Sequence, residues 1–263
     1  MPHPVLYRQE ASISKARSEA SSPFKRPVRA VLLDVDGTLY HQAGLRLLMA
    51  LELSALPFVE MSCRSSSRIW RSLRYFRRVR EELRSLGKPE AYLAQLQYVE
   101  AARRSGSEPA DMRRVVSEWI HRRPLKYLKI CRRRGIEGFL SFLENRSIQV
   151  GAFSDYPVVD KLATLRLSDR ISLRLCATDP EINAFKPHPA GFLRACAIWG
   201  LSPEEVLYVG DRPEVDAVGA AMAGMSCAIF CRSAVGSVHG DYSRSYLSCS
   251  SFLELQHILT TVS

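Results

Sequence analysis

Two carboxylates at the end of an apolar run are the residues of this chain whose types and spacing point most directly to chemistry. Residues Val28 to Leu33 are mostly aliphatic and β-branched, which predicts a buried strand. Asp34 and Asp36 follow, and on an extended chain both would face one pocket, while Gly37 lets the backbone turn away. Paired carboxylates need a cation or a shared proton. A solvated turn explains one Asp but not the pair, so the segment predicts a metal-binding or acid–base site.

Three further segments carry side chains that could act with this pair. Ile148 to Ser154 is an apolar run that ends in a hydroxyl, and Lys186 lies just before a predicted helix. Val206 to Asp211 is another apolar run, which ends in a carboxylate and is followed by Asp216. Taken alone, Ser154 is more often a strand-end cap and Lys186 more often a surface charge. Only the ordered set indicates a functional site.

In this order, the four segments resemble the motifs of the haloacid dehalogenase-like (HAD) hydrolase superfamily. The run Asp34-Val35-Asp36-Gly37-Thr38 matches the D-x-D-G-T pattern of the first motif, and the other segments match the remaining three. Together they span residues 28 to about 230. The resemblance implies a Rossmann-like α/β fold, with a parallel sheet covered by helices on both faces.

The resemblance also implies catalytic roles for the acidic residues. Asp34 would be the nucleophile that forms an aspartyl-phosphate, and Asp36 would be the general acid and base. Mg²⁺ prefers oxygen ligands, and Asp34, Asp211 and the backbone carbonyl of Asp36 would bind it. Charge stabilisation by such a cation suits phosphoryl transfer, in which negative charge spreads over the equatorial oxygens.

Supporting roles follow from the same resemblance. Ser154 would donate a hydrogen bond to a phosphate oxygen, and Lys186 would place its positive charge beside the phosphate. Thr38 would support the first motif, and Asp216 would orient Lys186 or a metal-bound water. Asp155 departs from the Asn more often expected at its position, which leaves the phosphate contacts of this motif open.

Asp36 favours one reaction over another. Dehalogenases of this fold lack the second Asp of the first motif, because a halide leaves without a proton. The predicted function is therefore a Mg²⁺-dependent phosphomonoester hydrolase that acts on a small phosphorylated metabolite. The alternatives are a phosphomutase with the same catalytic residues and a non-catalytic protein that binds a polyanion. Metal-dependent turnover separates the enzymes from the binder, and a bisphosphate requirement would identify the mutase.

The spacing of the motifs predicts two structural units. Strand-like runs alternate with helical stretches from Val28 onward, which is typical of a parallel sheet covered by helices. A long, mostly helical interval separates the first two motifs, so residues 44–135 are predicted to form an inserted helical cap, of the C1 type by resemblance. The core would comprise residues 28–43 and 136–263, and residues 1–27 would form a flexible tail.

The core pattern predicts individual elements. Strands are expected near Leu173–Ala177, Val206–Val209 and Cys227–Phe230, and helices near Pro157–Leu167, Pro189–Trp199, Glu214–Ala223 and from Phe252 onward. Gly200 and Gly224 are expected to end two of these helices. Ligands bind beyond the carboxyl ends of strands in such sheets, so Asp34, Ser154 and Asp211 are expected to meet in one pocket.

The positive charge is concentrated in the predicted cap. Residues 60–135 contain 20 Lys and Arg against 8 Asp and Glu, whereas the rest of the chain carries a net charge of about −2. Five arginines recur at helical spacing, namely Arg64, Arg68, Arg71, Arg74 and Arg78. A solvated outer face is the simplest interpretation of this stripe. The alternatives are that some arginines face the cleft and bind an anionic substrate, or that nucleic acid binds outside.

Composition also bears on the compartment. Seven scattered cysteines without a C-x-x-C pair argue against a disulfide scaffold or a zinc site. No run approaches the roughly 20 apolar residues that cross a membrane, and the first 27 residues lack the apolar core of a secretory signal. A reducing cytoplasm, with no membrane partner, is the predicted location.

Overall fold

The computed structural model describes residues 24, 26–59, 63–231, 238–239 and 246–261. The predicted tail, residues 1–27, lies almost entirely outside the described residues. Within them, seven strands form one sheet in the order β3-β2-β1-β4-β5-β7-β6. The strands are β1 (Ala30–Leu33), β2 (Gln149–Ser154), β3 (Leu173–Cys176), β4 (Val206–Gly210), β5 (Ser226–Phe230), β6 (Val238–His239) and β7 (Tyr246–Cys249).

Strand β1 lies at the centre of the sheet and is wholly buried, as expected of a short aliphatic run. It pairs in parallel with β2 on one side and with β4 on the other, so that Leu33 aligns with both Ala152 and Val209. Every neighbouring pair of strands is parallel except β6 with β7, which is antiparallel. The register brings the ends of β1, β2 and β4 to the same edge.

Helices cover both faces of this sheet, which confirms the predicted fold class. The helices are α1 (Gln42–Val59), α2 (Cys63–Leu86), α3 (Leu93–Ser105), α4 (Pro109–Val116), α5 (Leu125–Cys131), α6 (Ile136–Glu144), α7 (Val159–Thr164), α8 (Ala190–Trp199), α9 (Val218–Ala223) and α10 (Phe252–Thr261). Helices α6 and α10 pack on one face through Phe139 and Phe252. Helices α8 and α9 pack on the other through Phe192 and Ala220.

Helices α1 to α5 lie between β1 and the core helix α6, and they are called the helical insertion below. Helix α2 buries the apolar face that its spacing predicts, with Leu73, Phe76, Val79 and Leu83 inside. Phe76 and Val79 belong to the same apolar cluster as Phe153 and Phe185 of the core. The helical insertion therefore packs against the part of the core that contains Phe153 and Phe185, next to the candidate site.

Several element boundaries differ from the prediction for local reasons. Helix α7 is shorter than expected, because Arg166 adopts a left-handed conformation with φ 58° and ends it. The segment before α9 begins with a π-helical turn at Pro213–Ala217. Gly200 and Gly224 end α8 and α9 in the left-handed conformation, as expected. Among the described helices, none is both long and apolar enough to span a bilayer.

Candidate active site

Asp34 sits at the end of β1 with both carboxylate oxygens engaged. Its Oδ1 accepts a hydrogen bond from Lys186 Nζ at 2.6 Å, and its Oδ2 accepts one from Thr38 Oγ1 at 3.2 Å. The backbone N–H of Asp34 donates to the carbonyl of Val209 in β4 at 2.8 Å, which fixes the strand end. All three side chains are buried. The carboxylate is thereby held in one orientation.

Lys186 is the centre of a buried polar cluster. Its ammonium also donates to Asp216 Oδ1 at 2.7 Å and to the Tyr208 hydroxyl at 2.8 Å. Burial disfavours the ammonium, but Asp216 and Asp34 outweigh it and raise the pKa of Lys186. Three acceptors in one shell leave the ammonium fully hydrogen-bonded, so the charge is fixed beside Asp34.

Asp216 holds this cluster in place from the next loop. Its Oδ2 accepts hydrogen bonds from the backbone N–H groups of Asp211 and Arg212, at 3.1 and 3.0 Å. A side chain at Gly210 would come within 2.4 Å of that same oxygen, so only glycine fits there. Both oxygens of Asp216 therefore have partners, which favours the orienting role expected for this residue over metal ligation.

Asp36 points to a different set of partners. Its carboxylate accepts hydrogen bonds from Ser154 Oγ at 2.9 Å, from Lys161 Nζ at 2.7 Å and from the Tyr40 hydroxyl. Burial alone raises the pKa of Asp36, but these three donors, Lys161 foremost, outweigh it and hold the pKa below its usual range. Asp36 is thus ionised and oriented. Neither Lys161 nor Tyr40 is part of the motif set found in the sequence.

Asp211 completes a cluster of oxygen ligands. Carboxylate oxygens of Asp34, Asp211 and Asp216 all lie within 4.8 Å of one another. Oδ1 of Asp211 is buried without a hydrogen-bond partner among the described residues. Burial and the charge of Asp216 raise its pKa to about 6, and burial raises the pKa of Asp34 well above its ordinary value. An unpaired buried oxygen among crowded carboxyls fits a hard divalent cation, with Asp34 and Asp211 as its side-chain ligands.

Gly37 allows this cluster to form. Its φ is +106°, and a side chain there would collide with the carboxylate of Asp211 at 1.9 Å. The loop after β1 can therefore pass directly beneath Asp211 only with glycine at this position. The turn at Gly37, which the sequence predicted, therefore also sets the distance between Asp34 and Asp211, the two predicted side-chain ligands of the metal.

Asp155 connects the helical insertion, through hydrogen bonds, to the loop that carries Lys186. It accepts hydrogen bonds from Arg84 of α2 at 2.8 Å and from the backbone N–H of Lys186 at 3.1 Å. The Arg84 guanidinium also donates to the carbonyl of Lys186. Arg80 donates to the carbonyl of Asp155 at 2.8 Å, and its guanidinium lies 4.0 Å from the centre of the Tyr156 ring. The acidic side chain at this position therefore pairs with Arg84, whereas Arg80 contacts only the backbone carbonyl of Asp155.

The arginine stripe is placed on the solvent side. Arg68, Arg71, Arg74 and Arg78 are exposed and line neither of the two cavities next to Asp36, and the Arg64 side chain lies outside the described ones. The hypothesis that stripe arginines face the cleft is therefore wrong for these four. The steps of three and four keep them on the outer side of α2, whereas Arg77 and Arg84 lie on the inner side and reach the site. Part of the surface charge is compensated within the insertion by the pairs Arg78–Glu82, Arg103–Glu100, Arg114–Asp111 and Arg123–Glu52.

Comparison with known proteins supports the same interpretation. A family model described as haloacid dehalogenase-like hydrolase matches residues 28–224. The chain belongs to the haloacid dehalogenase-like hydrolases. This match covers all four motifs and the whole helical insertion of the hydrolase.

Solved structures share the fold of this hydrolase at low sequence identity. A 2-haloacid dehalogenase from Pseudomonas syringae pv. tomato is 19% identical, with a TM-score of 0.63 over 90% of this chain and 100% of that one. A HAD phosphatase from Thermococcus onnurineus is 20% identical, with a TM-score of 0.56 over 88% and 98%. Glyceraldehyde 3-phosphate phosphatase from Methanopyrus kandleri is 49% identical over 45 residues, which are 17% of this chain and 19% of that protein.

The structure brings together the polar residues of the four sequence motifs and adds others. Asp34, Asp36, Ser154, Lys186 and Asp211 line one cavity of about 170 Å³, called the catalytic chamber below. Asp216 also lines this cavity, and Thr38 holds Asp34 from behind its wall. The additions are Tyr40, Lys161, Tyr208 and Arg84. Tyr40 carried a local signal, since it lies four residues after Asp36; the others reach the site only through tertiary packing.

His121 lies beside this site and gives the hydrolase a pH-dependent contribution to stability. Burial and the positive charges of Lys161 and Arg80 lower the pKa of its imidazole to about 4, although the negative charge of Asp36 acts in the opposite direction. The unfolded chain binds this proton near pH 6.5, so between pH 6.5 and 4 the unfolded state binds more protons and stability falls as the pH drops. The imidazole is partly exposed, and we expect its contribution to be about 2 kcal/mol.

Denaturant unfolding of wild type and His121→Gln between pH 7 and pH 4 measures this contribution. The wild type should lose about 2 kcal/mol more of its unfolding free energy than the variant over this range. His257→Gln is the matched control, because His257 is exposed on α10, and it should keep the wild-type slope. Equal slopes for wild type and His121→Gln would contradict the assignment.

Proposed function

We propose that this hydrolase is a Mg²⁺-dependent phosphatase that cleaves a small phosphate monoester through an aspartyl-phosphate on Asp34. The observation that carries the proposal is the position of the Asp36 carboxylate, held by Ser154, Lys161 and Tyr40 next to the nucleophile. An alkoxide leaving group needs a proton, whereas a halide does not. A carboxyl group held in this position, where it can give the departing oxygen a proton, therefore favours phosphate esters over haloacids as substrates.

The first half-reaction is assigned to residues of the catalytic chamber. Asp34 Oδ1 or Oδ2 attacks phosphorus, and the bond from phosphorus to the ester oxygen breaks. The Lys186 ammonium, fixed beside Asp34, stabilises the developing charge of the phosphoryl oxygens, and Ser154 Oγ donates to one of them once Asp36 is protonated and releases this hydroxyl. Asp36 protonates the departing oxygen, because an arriving phosphate dianion raises the pKa of this carboxyl and so favours its protonated form. Asp36 then removes a proton from water in the second half-reaction, which releases phosphate and restores Asp34.

A bound Mg²⁺ would be held by Asp34, Asp211 and the backbone carbonyl of Asp36, and it would supply charge neutralisation for the phosphoryl oxygens. The chain's own contribution at that place is to keep the carboxylates close together. Asp216 orients Lys186 and the loop that carries Asp211. The helical insertion acts as a cap that excludes water and shapes the space for the leaving group.

Leaving-group dependence tests the assigned role of Asp36. The substrates are 2-phenylethyl phosphate, whose alcohol is a poor leaving group, and 4-nitrophenyl phosphate, whose phenol is a good one. Asp36→Asn should lower kcat/KM by about 10²- to 10⁴-fold for the first ester and much less for the second, since only the alkoxide requires a proton. Both are measured by phosphate release with and without Mg²⁺.

Other outcomes of this assay would contradict the proposal. Equal losses on both esters would remove Asp36 from proton transfer. Halide release from a 2-chloroalkanoic acid without any phosphate release would assign a dehalogenase. Activity that appears only with a bisphosphate activator would assign the phosphomutase alternative. Binding of nucleic acid by a folded protein without turnover would favour the polyanion-binding alternative.

A further inference from the structure

A second cavity of about 500 Å³ lies between the core and the helical insertion, and it is called the apolar chamber below. Most of the described residues that line this chamber are hydrophobic. Among these residues are Leu45, Met49, Leu53, Trp70, Trp119 and Leu128. Its volume lies within the range of about 300–1,000 Å³ that is typical of small-molecule sites.

The apolar chamber adjoins the catalytic chamber. The two cavities share five lining residues, namely Asp36, Gln42, Arg46, Arg77 and Tyr156. Asp36 is the residue assigned to protonate the leaving oxygen, so a leaving group attached to that oxygen extends past Asp36. The apolar chamber is the space into which it extends.

Charge is confined to the end of the apolar chamber that meets the catalytic site. Arg46 and Arg77 line both cavities, and neither forms an ion pair within the described part of the chain. Lys161 is paired with Asp36. His121, further along the wall, is neutral at neutral pH because its pKa is lowered to about 4. The two arginines are therefore placed to attract the phosphate, while the body of the chamber carries no carboxylate.

We propose that the substrate is a phosphate monoester of a bulky apolar alcohol, with its alkyl or aryl group in the apolar chamber. A sugar or other polyol would lose water from its hydroxyls against leucine, methionine and tryptophan side chains that cannot accept hydrogen bonds. An apolar group gains from the same burial. This inference rests on the proposed phosphatase function and specifies its substrate class.

A series of primary alkyl phosphates tests the inference. Ethyl, butyl, hexyl and 2-phenylethyl phosphate have leaving groups of similar basicity to glycerol 1-phosphate, so differences in kcat/KM report leaving-group binding. We expect kcat/KM to rise by about threefold for each methylene from ethyl to hexyl. Glycerol 1-phosphate should react no faster than ethyl phosphate.

A chamber-filling variant locates the effect. Ala50→Phe places a ring into the apolar chamber from α1 and should reduce the ratio of hexyl to ethyl phosphate kcat/KM by at least about tenfold. Ala55→Phe is the matched control, because Ala55 is exposed on the same helix and does not line either chamber. It should keep the wild-type ratio. An unchanged ratio in Ala50→Phe would overturn the assignment of the chamber.

The assay separates this inference from the proposed function. If glycerol 1-phosphate or sugar phosphates are hydrolysed faster than hexyl phosphate, the proposed phosphatase function is supported, and the inference of an apolar substrate is wrong. If no ester is hydrolysed, the proposed phosphatase function fails. Binding of alkylphosphonates, measured by calorimetry, then tests by itself whether the apolar chamber binds an apolar group. Hexylphosphonate should then bind at least about tenfold more tightly than ethylphosphonate, and equal affinities would overturn the inference.

Discussion

The Asp34→Asn variant is expected to lose at least about 10⁴-fold in kcat while remaining as stable as the wild type. The amide cannot form an acyl-phosphate, and no other carboxylate reaches the same position, because Asp36 is held by Lys161 and Asp211 lies across Gly37. Stability should be preserved because Lys186 keeps Asp216 as its counter-charge, and a neutral side chain at position 34 relieves the burial and crowding of negative charge that raise the pKa of Asp34.

Phosphate release and covalent labelling measure this loss together. Wild-type protein quenched during turnover of a radiolabelled phosphate ester should retain hydroxylamine-sensitive label, and Asp34→Asn should retain none. Asp169→Asn is the matched control, since Asp169 is exposed and distant from both cavities, and it should behave as wild type. Labelling of the Asp34→Asn protein would show that another residue is the nucleophile.

The sequence predicted which strand ends meet at the candidate site, for a physical reason. Each of the runs before Asp34, Ser154 and Asp211 is a buried parallel strand, whose continuous hydrophobicity is visible without any tertiary information. Parallel neighbours end at the same edge, so the polar residues that follow must meet. The resemblance then supplied Lys186, whose isolated residue type would have indicated a surface charge.

The residues that sequence reasoning missed depend on how separate elements dock. Lys161 reaches Asp36 across the turn between β2 and α7, and Arg84 reaches Asp155 from a helix inserted far earlier in the chain. Helical spacing separates Arg84 from the outer side of α2 that carries Arg74 and Arg78, but it does not show which residue Arg84 contacts. The strand β7 was also missed, because Tyr246–Cys249 is short and its partner β5 is supplied by tertiary packing.

Lys186→Met is expected to combine a large loss of activity with a large loss of stability. The ammonium is the counter-charge of two buried carboxylates, Asp34 at 2.6 Å and Asp216 at 2.7 Å. Removing one partner of a buried ion pair costs about 3–5 kcal/mol, because the remaining charges stay buried without compensation. Phosphate turnover should fall by about 10²- to 10³-fold, the range measured for removing one preorganised donor to developing charge.

The pH dependence of stability identifies the cause of this loss. Without Lys186, the pKa of Asp34 in the folded protein rises further. The folded protein then keeps the proton of Asp34 at pH values where the unfolded chain, with its ordinary carboxyl pKa, has already released it. A raised folded pKa gives stability that is present at low pH and lost as the pH rises. The deficit of Lys186→Met relative to wild type should therefore grow from pH 5 to pH 8 when unfolding is measured with EDTA.

A double variant shows whether uncompensated charge is responsible. Lys186→Met combined with Asp34→Asn removes one buried negative charge, and it should recover about 1–2 kcal/mol relative to the sum of the single changes. Lys129→Met is the matched control, because Lys129 is exposed on α5 and pairs with no acid among the described residues. Strict additivity would mean that Lys186 stabilises the site through packing, whereas recovery would establish that its charge holds the nucleophile in its ionised form.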